Sequence, residues 1–427
     1  MEISNIHNLF LSCSGVVIDT RKIIENSFFV ALKGERFDAN TFAKEALQKG
    51  ASFVLIDNAE FYIDQRTILV ENTLETLQEL ATFHRQYLKL PIVALTGSNG
   101  KTTTKELINV VLSKKFKVKA TIGNLNNHIG VPLTILSFTT DTQIGIVEMG
   151  ANHQKEIQFL CQIAQPDYGY ITNFGKAHLE GFGGVEGVIK GKSEMYDYLK
   201  ANHKNVFVNL DDAIQEEKTK SFNRITFSQL NKEASVPIQK VAANPLVTIQ
   251  FNDVTINSHL IGLYNANNIN AAIAIGLYFD ITNEDIKSAI EAYIPDNNRS
   301  QLISKGTNEI ILDAYNANPS SMKVAIDNFV QLENESKMMI LGDMFELGDE
   351  SAQEHKSIIQ LVGQNHQVTA VFVGEHFYEN KIEQSNLVFF KTFDDFSNYI
   401  HNHIPDHSIL LIKGSRGMSL ERTLDFI

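Results

Sequence analysis

The sequence predicts an α/β protein of three domains, the central one built around a mostly parallel sheet. Three observations carry this. Apolar runs of strand length alternate with helical patterns over two long stretches, as in parallel sheets covered by helices. One of those strands runs directly into a glycine-rich loop and a helix. The chain's 427 residues provide for two to four domains with ample core.

The first region, residues 1–89, mixes strands at 27–31, 52–56 and 67–70 with helical patterns. Leu74, Leu77, Leu80 and Leu88 recur close to helical spacing and predict a helix over 73–87, ending before Pro91. The second region, 90–297, alternates strands at 93–96, 117–121, 143–148, 168–172 and 205–208 with helices. A β-rich stretch at 236–260 and a helix at 265–279 complete it. The third region, 298–427, starts near Asn297 and has strands at 309–312, 338–341, 368–373 and 408–412, a second α/β unit of ordinary domain size.

Composition narrows the class. The content of 43% hydrophobic and 20% charged residues is that of a globular chain. A net charge of −13 argues against nucleic acid or an anionic membrane as the main partner, yet leaves a phosphorylated ligand open, because a local loop and Mg²⁺ can reverse the field. The first residues show no basic region followed by an apolar stretch, so no signal peptide is expected. No apolar run approaches membrane-spanning length. Cys13 and Cys161 form no metal or disulfide pattern and are expected as buried thiols in a reducing cytosol.

The most specific motif is Gly97-Ser98-Asn99-Gly100-Lys101-Thr102-Thr103-Thr104, directly after the strand ending at Thr96. Glycines let backbone N–H groups converge on an anion, the lysine adds a point charge for outer phosphates, and the threonine hydroxyl can ligate Mg²⁺. Only Ser98 and Asn99 separate Gly97 from the Gly-Lys pair, where four residues are usual, so this is a shortened phosphate loop. The plainer alternative is a helix-capping turn with a solvated Lys101.

Other polar groups stand at predicted strand ends, where ligands collect in open parallel sheets. Glu148 could hold Mg²⁺, a cation that prefers oxygen donors, or simply start a helix. His178 follows another strand; imidazole is not the usual partner of Mg²⁺, so site and surface roles both stay open. Lys190 and Lys192 read from composition alone as solvated lysines on a helix. Arg299 could reach a phosphate across an inter-domain seam. Residues 313–319 (Asp313-Ala314-Tyr315-Asn316-Ala317-Asn318-Pro319) and 413–417 follow further strands. A turn or cap explains any one of these clusters; together they suggest one inter-domain cleft.

These stretches resemble a known family across nearly the whole chain, the Mur ligases of peptidoglycan synthesis. The resemblance rests on Asp19-Thr20-Arg21, Phe28-Phe29-Val30-Ala31-Leu32 with Phe37-Asp38, residues 96–104, Asn126-Asn127-His128-Ile129-Gly130-Val131-Pro132, Glu148-Met149-Gly150-Ala151-Asn152, Ala177-His178-Leu179-Glu180, Asn298-Arg299-Ser300-Gln301, 313–319, Gly342-Asp343-Met344-Phe345-Glu346-Leu347-Gly348, and 413–418, which agree in order and spacing. It implies an N-terminal α/β UDP-sugar-binding domain, a central P-loop ATPase domain and a C-terminal Rossmann-like domain. It also implies ATP-driven formation of an amide between UDP-MurNAc-tripeptide and D-Ala-D-Ala through an acyl phosphate. By resemblance, Gly97, Ser98, Asn99, Gly100, Lys101, Thr102 and Thr103 bind ATP, with Asn268 at the adenine and Arg299 and Asp313 reaching the nucleotide from the third domain. Thr102, Glu148, His178 and Lys192 become metal ligands, Lys192 as a carbamate. Lys101, Glu148, His178 and Lys192 form the catalytic group. Asp19, Thr20, Arg21, Phe37 and Asp38 hold the UDP-sugar, and Asn126, Asn127, Tyr315, Asn316 and Asn318 contact substrate. A cytoplasmic monomer without nucleic-acid partner or membrane insertion is the expected form.

Four positions differ from the family's usual residues: Ala39 and Lys155 stand for glycine, Tyr264 for histidine and Leu312 for an acid. Rival readings are a sister ligase adding a diaminoacid, whose Asp-Asn-Pro-Arg string is absent here, a folylpolyglutamate synthetase relative, and a nucleotide-dependent switch without ligase activity.

Overall fold

The structure is a computed structural model describing residues 1–295, 298–334, 336–403 and 406–427. The expected third-region start at Asn297 lies outside the described residues. Three sheets organise the chain. The first is parallel, in the order Gly15–Val17, Ser27–Val30, Ala51–Ile56, Thr67–Leu69. Ser27–Val30 is buried throughout, as an apolar run between covered faces requires. The predicted helix is Thr73–Leu88, capped by the Asn72 side chain, which accepts from the Leu74 and Glu75 amides.

The central sheet has seven parallel strands. In spatial order they are Val236–Pro237, Arg224–Ser228, Asn205–Asn209, Tyr168–Ile171, Ile92–Thr96, Ile144–Glu148 and Val118–Ala120. Ile92–Thr96 comes first in this unit. From it the chain builds to one side, then returns to build on the other, so strand direction of growth reverses there. That is the switch point where open α/β sheets bind ligands. The β-rich stretch is a separate antiparallel sheet of Lys240–Ala243, Leu246–Phe251 and Val254–Ile261.

The third sheet runs Gln301–Lys305, Asn308–Asp313, Ile409–Lys413, Lys337–Gly342, Thr369–Val373, Leu387–Phe390; only its first pairing is antiparallel. The α/β class and parallel central sheet are as expected. The short Gly15–Val17 and the edge strands Gln301–Lys305 and Leu387–Phe390 lacked a long apolar run and were not anticipated. Cys161 is buried as expected, but Cys13 is only half-buried, because it lies just past the end of the first helix, Ile3–Leu11. No described helix is long and apolar enough to cross a membrane.

Candidate active site

A cleft of about 1390 Å³ opens at the carboxyl ends of the central strands and is closed on its far side by the C-terminal unit. The glycine-rich loop forms its floor. Gly97 has φ +141°, and a Cβ there would sit 2.0 Å from the Thr172 hydroxyl oxygen, so only glycine fits. Gly100 has φ +78° and caps the helix Lys101–Leu112. The loop is tied to the neighbouring strand's exit: Ser98 N–H donates to the Asn173 carbonyl (3.1 Å), Asn99 N–H to Asn173 Oδ1 (3.1 Å), and the Thr172 hydroxyl to the Asn99 carbonyl (2.5 Å). The amides of Lys101, Thr102 and Thr103 lie in the first turn of the helix, where backbone N–H groups lack an intrahelical acceptor and can meet an anion.

Lys101 Nζ donates to the Gly97 carbonyl at 2.7 Å. Enclosure by the loop pushes its pKa down to about 8, with the Glu148 carboxylate opposing. Glu148 ends the strand beside Ile92–Thr96, opposite Leu95. It is 1% exposed; Oε1 accepts from Asn126 Nδ2 (2.8 Å), while Oε2 is buried without a partner among the described residues. A buried carboxylate oxygen without a partner among the described residues, in the same cleft as Thr102, suits a hard divalent cation, which prefers oxygen donors. Among the described residues no three His, Cys, Asp or Glu side chains gather into a ready-made metal site. Glu148 and Thr102 offer oxygen atoms at the cleft; His178 also lines it, paired through Nδ1 with Glu346 Oε2 from the C-terminal unit.

Lys192 departs from the solvated-lysine expectation. It is 1% exposed, with Nζ donating to the Ala151 carbonyl (3.0 Å) and 4.9 Å from the Phe182 ring centre. Burial, then the like charge of Lys101, pushes its pKa well below the usual lysine value. It sits behind the cleft lining. The sequence held a signal for this: Lys192 lies between Val188 and Leu199 at helical spacing, on the buried face of Val185–Ala201. Lys190 is exposed, as expected.

Across the cleft, the Arg299 guanidinium lies 3.7 Å from the Tyr315 ring centre, and its buried Nε has no partner among the described residues. Asp313 pairs with the buried Lys413 at 2.6 Å, and Lys413 also donates to the Asn316 carbonyl (3.3 Å). Asn318 caps the helix Pro319–Val330 and donates to Asn99 Oδ1 at 2.7 Å, joining C-terminal unit to phosphate loop. Asn268 lines the cleft, but its side chain already accepts from Thr104 (3.0 Å) and donates to Asn265 (2.8 Å). Asn127 Oδ1 accepts from Ile129 and Gly130 amides and so shapes the next helix.

The N-terminal candidates are not brought to this cleft. Asp19 pairs with Arg21 at 2.7 Å, Asp38 caps the turn Ala39–Phe42, and Phe37 is 60% exposed. Three of the four departures can be placed locally. Lys155 holds φ +71°, a left-handed conformation that glycine adopts without strain. Tyr264 bonds the Ser300 hydroxyl (2.5 Å) across the seam between the units, and Leu312 is core. Sequence reasoning did not anticipate the pairings beside the cleft, in which the Lys176 ammonium donates to Glu354 at 2.5 Å and Glu346 pairs with His178; Lys413, in the 413–417 cluster, does line the cleft.

Comparison with known proteins agrees with this geometry. Residues 12–85 match the Mur ligase family catalytic domain, 95–276 the Mur ligase middle domain, and 298–416 the Mur ligase glutamate ligase domain. The UDP-N-acetylmuramoyl-tripeptide–D-alanyl-D-alanine ligase of Bacillus subtilis is 34% identical over 95% of this chain and 91% of its own. Crystal structure I of MurF from Acinetobacter baumannii superposes with TM-score 0.86 at 31% identity, covering 98% of this chain and 96% of that one. The MurF ligase of Thermotoga maritima, solved with ADP, gives TM-score 0.85 at 26% identity, covering 98% and 97%. The chain belongs to the Mur ligase family.

Proposed function

We propose that the chain is an ATP-dependent amide ligase that joins D-Ala-D-Ala to UDP-MurNAc-tripeptide and so makes UDP-MurNAc-pentapeptide for peptidoglycan. The observation that carries this is the short phosphate loop at the sheet's switch point, beside the unpartnered Glu148 oxygen and facing Arg299 across the cleft. The names of full-length relatives supply the substrates, and the ADP complex of one supports the nucleotide.

In this reading a terminal carboxylate oxygen of the tripeptide attacks the γ-phosphorus of ATP, and ADP leaves. The amine of D-Ala-D-Ala then attacks the acyl carbon; the bond from that carbon to the phosphate oxygen breaks, phosphate departs, and the amine loses a proton. A carboxylate is a poor acyl donor, and phosphorylation gives it a good leaving group. The protein's part is alignment and charge neutralisation. Lys101 would move from the loop carbonyls to the outer phosphates, and the amides of 101–103 would hold phosphate oxygens. The Gly97, Ser98, Asn99 and Gly100 backbone keeps that cradle in shape. Arg299 and Asp313 hold the nucleotide from the C-terminal side, with Asn268 near the adenine.

Thr102, Glu148 and His178 would hold Mg²⁺, which supplies further neutralisation of the transferring phosphoryl group. A carbamate on Lys192 would add an anionic oxygen; burial favours the neutral amine that reacts with CO₂. A ¹³CO₂-derived carbonyl NMR signal that Lys192→Ala removes is the expected sign of it. Asp19, Thr20, Arg21, Phe37 and Asp38 would hold the UDP-sugar on the N-terminal unit. Asn126, Asn127, Tyr315, Asn316 and Asn318 would line the peptide's path. The functional domains on this reading are 1–89, 90–297 and 298–427, acting as a cytoplasmic monomer.

Isotope transfer tests the chemistry. With ¹⁸O in the tripeptide's terminal carboxylate, released phosphate should carry one ¹⁸O. Unlabelled phosphate alongside pentapeptide product would rule out the acyl phosphate.

A further inference from the structure

The Gly342–Gly348 motif has no role in the reaction above, yet the structure holds it rigidly. Asp343 is 2% exposed and accepts from the His376 and Phe377 amides, each at 2.9 Å. The Met344 amide donates to His355 Nε2 (3.1 Å), and the Phe345 amide to the Ser415 hydroxyl (3.1 Å). Glu346 projects from this fixed turn onto Nδ1 of His178 in the central unit. The Glu180 amide donates back to the Glu346 carbonyl at 3.4 Å.

Both partners pay attention to geometry at the backbone: His178 has φ +53° and Glu346 φ +61°. Left-handed conformation is uncommon outside glycine and persists where surroundings over-determine it. Two such residues meeting side chain to side chain, 168 positions apart in sequence, mark a defined junction. A carboxylate on Nδ1 fixes that nitrogen as the N–H donor, leaving Nε2 with the free lone pair. Nε2 belongs to a cleft-lining residue and has no partner of its own in the structure's hydrogen bonds among the described residues. Two residues earlier, Lys176 pairs with Glu354 and its amide donates to the Ser320 hydroxyl (2.7 Å), so the same loop is anchored twice more to the C-terminal unit.

We propose that Glu346 is a positioning residue: the C-terminal unit supplies the carboxylate that sets the tautomer and orientation of His178, so the cation site of the central unit is complete only when the two units are docked. The Lys176–Glu354 pair does not touch His178 and is one of several contacts between the units, so its loss alone leaves them docked. This rests on the reading of His178 as a ligand.

The test measures Mn²⁺ affinity by electron paramagnetic resonance, with ADP present, on the full chain and its variants. Orienting carboxylates typically contribute 10–100-fold in metal affinity. Glu346→Ala should weaken Mn²⁺ binding by roughly 10-fold or more. Glu346→Gln, whose amide oxygen can still accept from Nδ1–H, should recover part of that loss, and Glu354→Gln should change affinity by less than about threefold. If His178→Ala weakens binding and Glu346→Ala does not, the positioning role is wrong while the ligand assignment stands. Equal losses in Glu346→Ala and Glu354→Gln would reduce the pair to docking and overturn the proposal. Unchanged affinity in His178→Ala would overturn the ligand reading and this inference with it.

Discussion

The two seams of the molecule are built differently. Where the N-terminal unit meets the central unit, the helix Thr73–Leu88 packs against Gly130–Leu136 and Glu156–Ala164 with Leu77, Leu80 and Ala81 fully buried. Some of the polar contacts there are buried too: His84, itself bonded to His7 within the N-terminal unit (3.0 Å), bonds the Phe138 carbonyl through Nε2 (3.0 Å), and Arg85 reaches the Ala164 carbonyl (3.0 Å); Arg85 also reaches the part-buried Asp167 (2.8 Å), and Gln78 donates to the His128 carbonyl at the exposed rim (3.0 Å). Where the central unit meets the C-terminal one, the cleft-side contacts are ion pairs and amides, with Lys176 45% and Glu346 54% exposed in their side chains. A separate cavity of about 230 Å³, lined by Pro245, Ile261, Ile311 and Phe329, lies within that second seam. The first seam resembles the inside of a domain; the second resembles a transient interface, where relative motion is the default. Chemistry that needs water first admitted and then excluded belongs at the second.

The largest expected effect separates catalysis from substrate holding. Lys101→Ala should lower kcat by at least about 10²-fold, as loss of a charge-stabilising donor does, while UDP-precursor affinity stays within about twofold. Equal loss of both would make the loop structural. Next comes the packing difference. Leu80→Ala, in the first seam, should destabilise the chain by about 2–5 kcal/mol in chemical denaturation.

Acid should act on the first seam too. Burial, then the neighbouring His84, lowers the His7 pKa to about 4, and burial lowers that of His84. The unfolded chain, with histidines near 6.5, binds more protons between those values, so stability should fall as pH drops from about 6.5 to about 4. Thermal melts across that window check this, and His7→Phe should flatten the slope. The smallest effect is at the second seam: Glu354→Gln keeps a polar acceptor and leaves only the half-exposed Lys176 ammonium to return to water, so it should change unfolding free energy by no more than about 1 kcal/mol. A loss matching that of Leu80→Ala would erase the contrast between the seams.

How much of this was legible in the sequence follows from distance along the chain. The strands and the phosphate loop are contiguous, and their apolar runs and glycines speak locally; Ile92–Thr96 and Gly97 onward were readable without neighbours. Glu148 was readable as a strand-end acid, but its unpartnered oxygen depends on Asn126 turning to the other one. The second seam was opaque, because His178 and Glu346 are 168 residues apart and Lys176 and Glu354 178 apart, and no local pattern couples them. Lys192 shows the opposite case: composition alone reads it as solvated, whereas the helical stripe it shares with Val188 and Leu199 puts it on the buried face.

The most direct measurement is phosphate release from ATP by the purified protein, with each co-substrate omitted in turn. Release should require both UDP-MurNAc-tripeptide and D-Ala-D-Ala and match pentapeptide formation one to one. Release with neither present, or release that needs a free diaminoacid in place of D-Ala-D-Ala, would contradict the account.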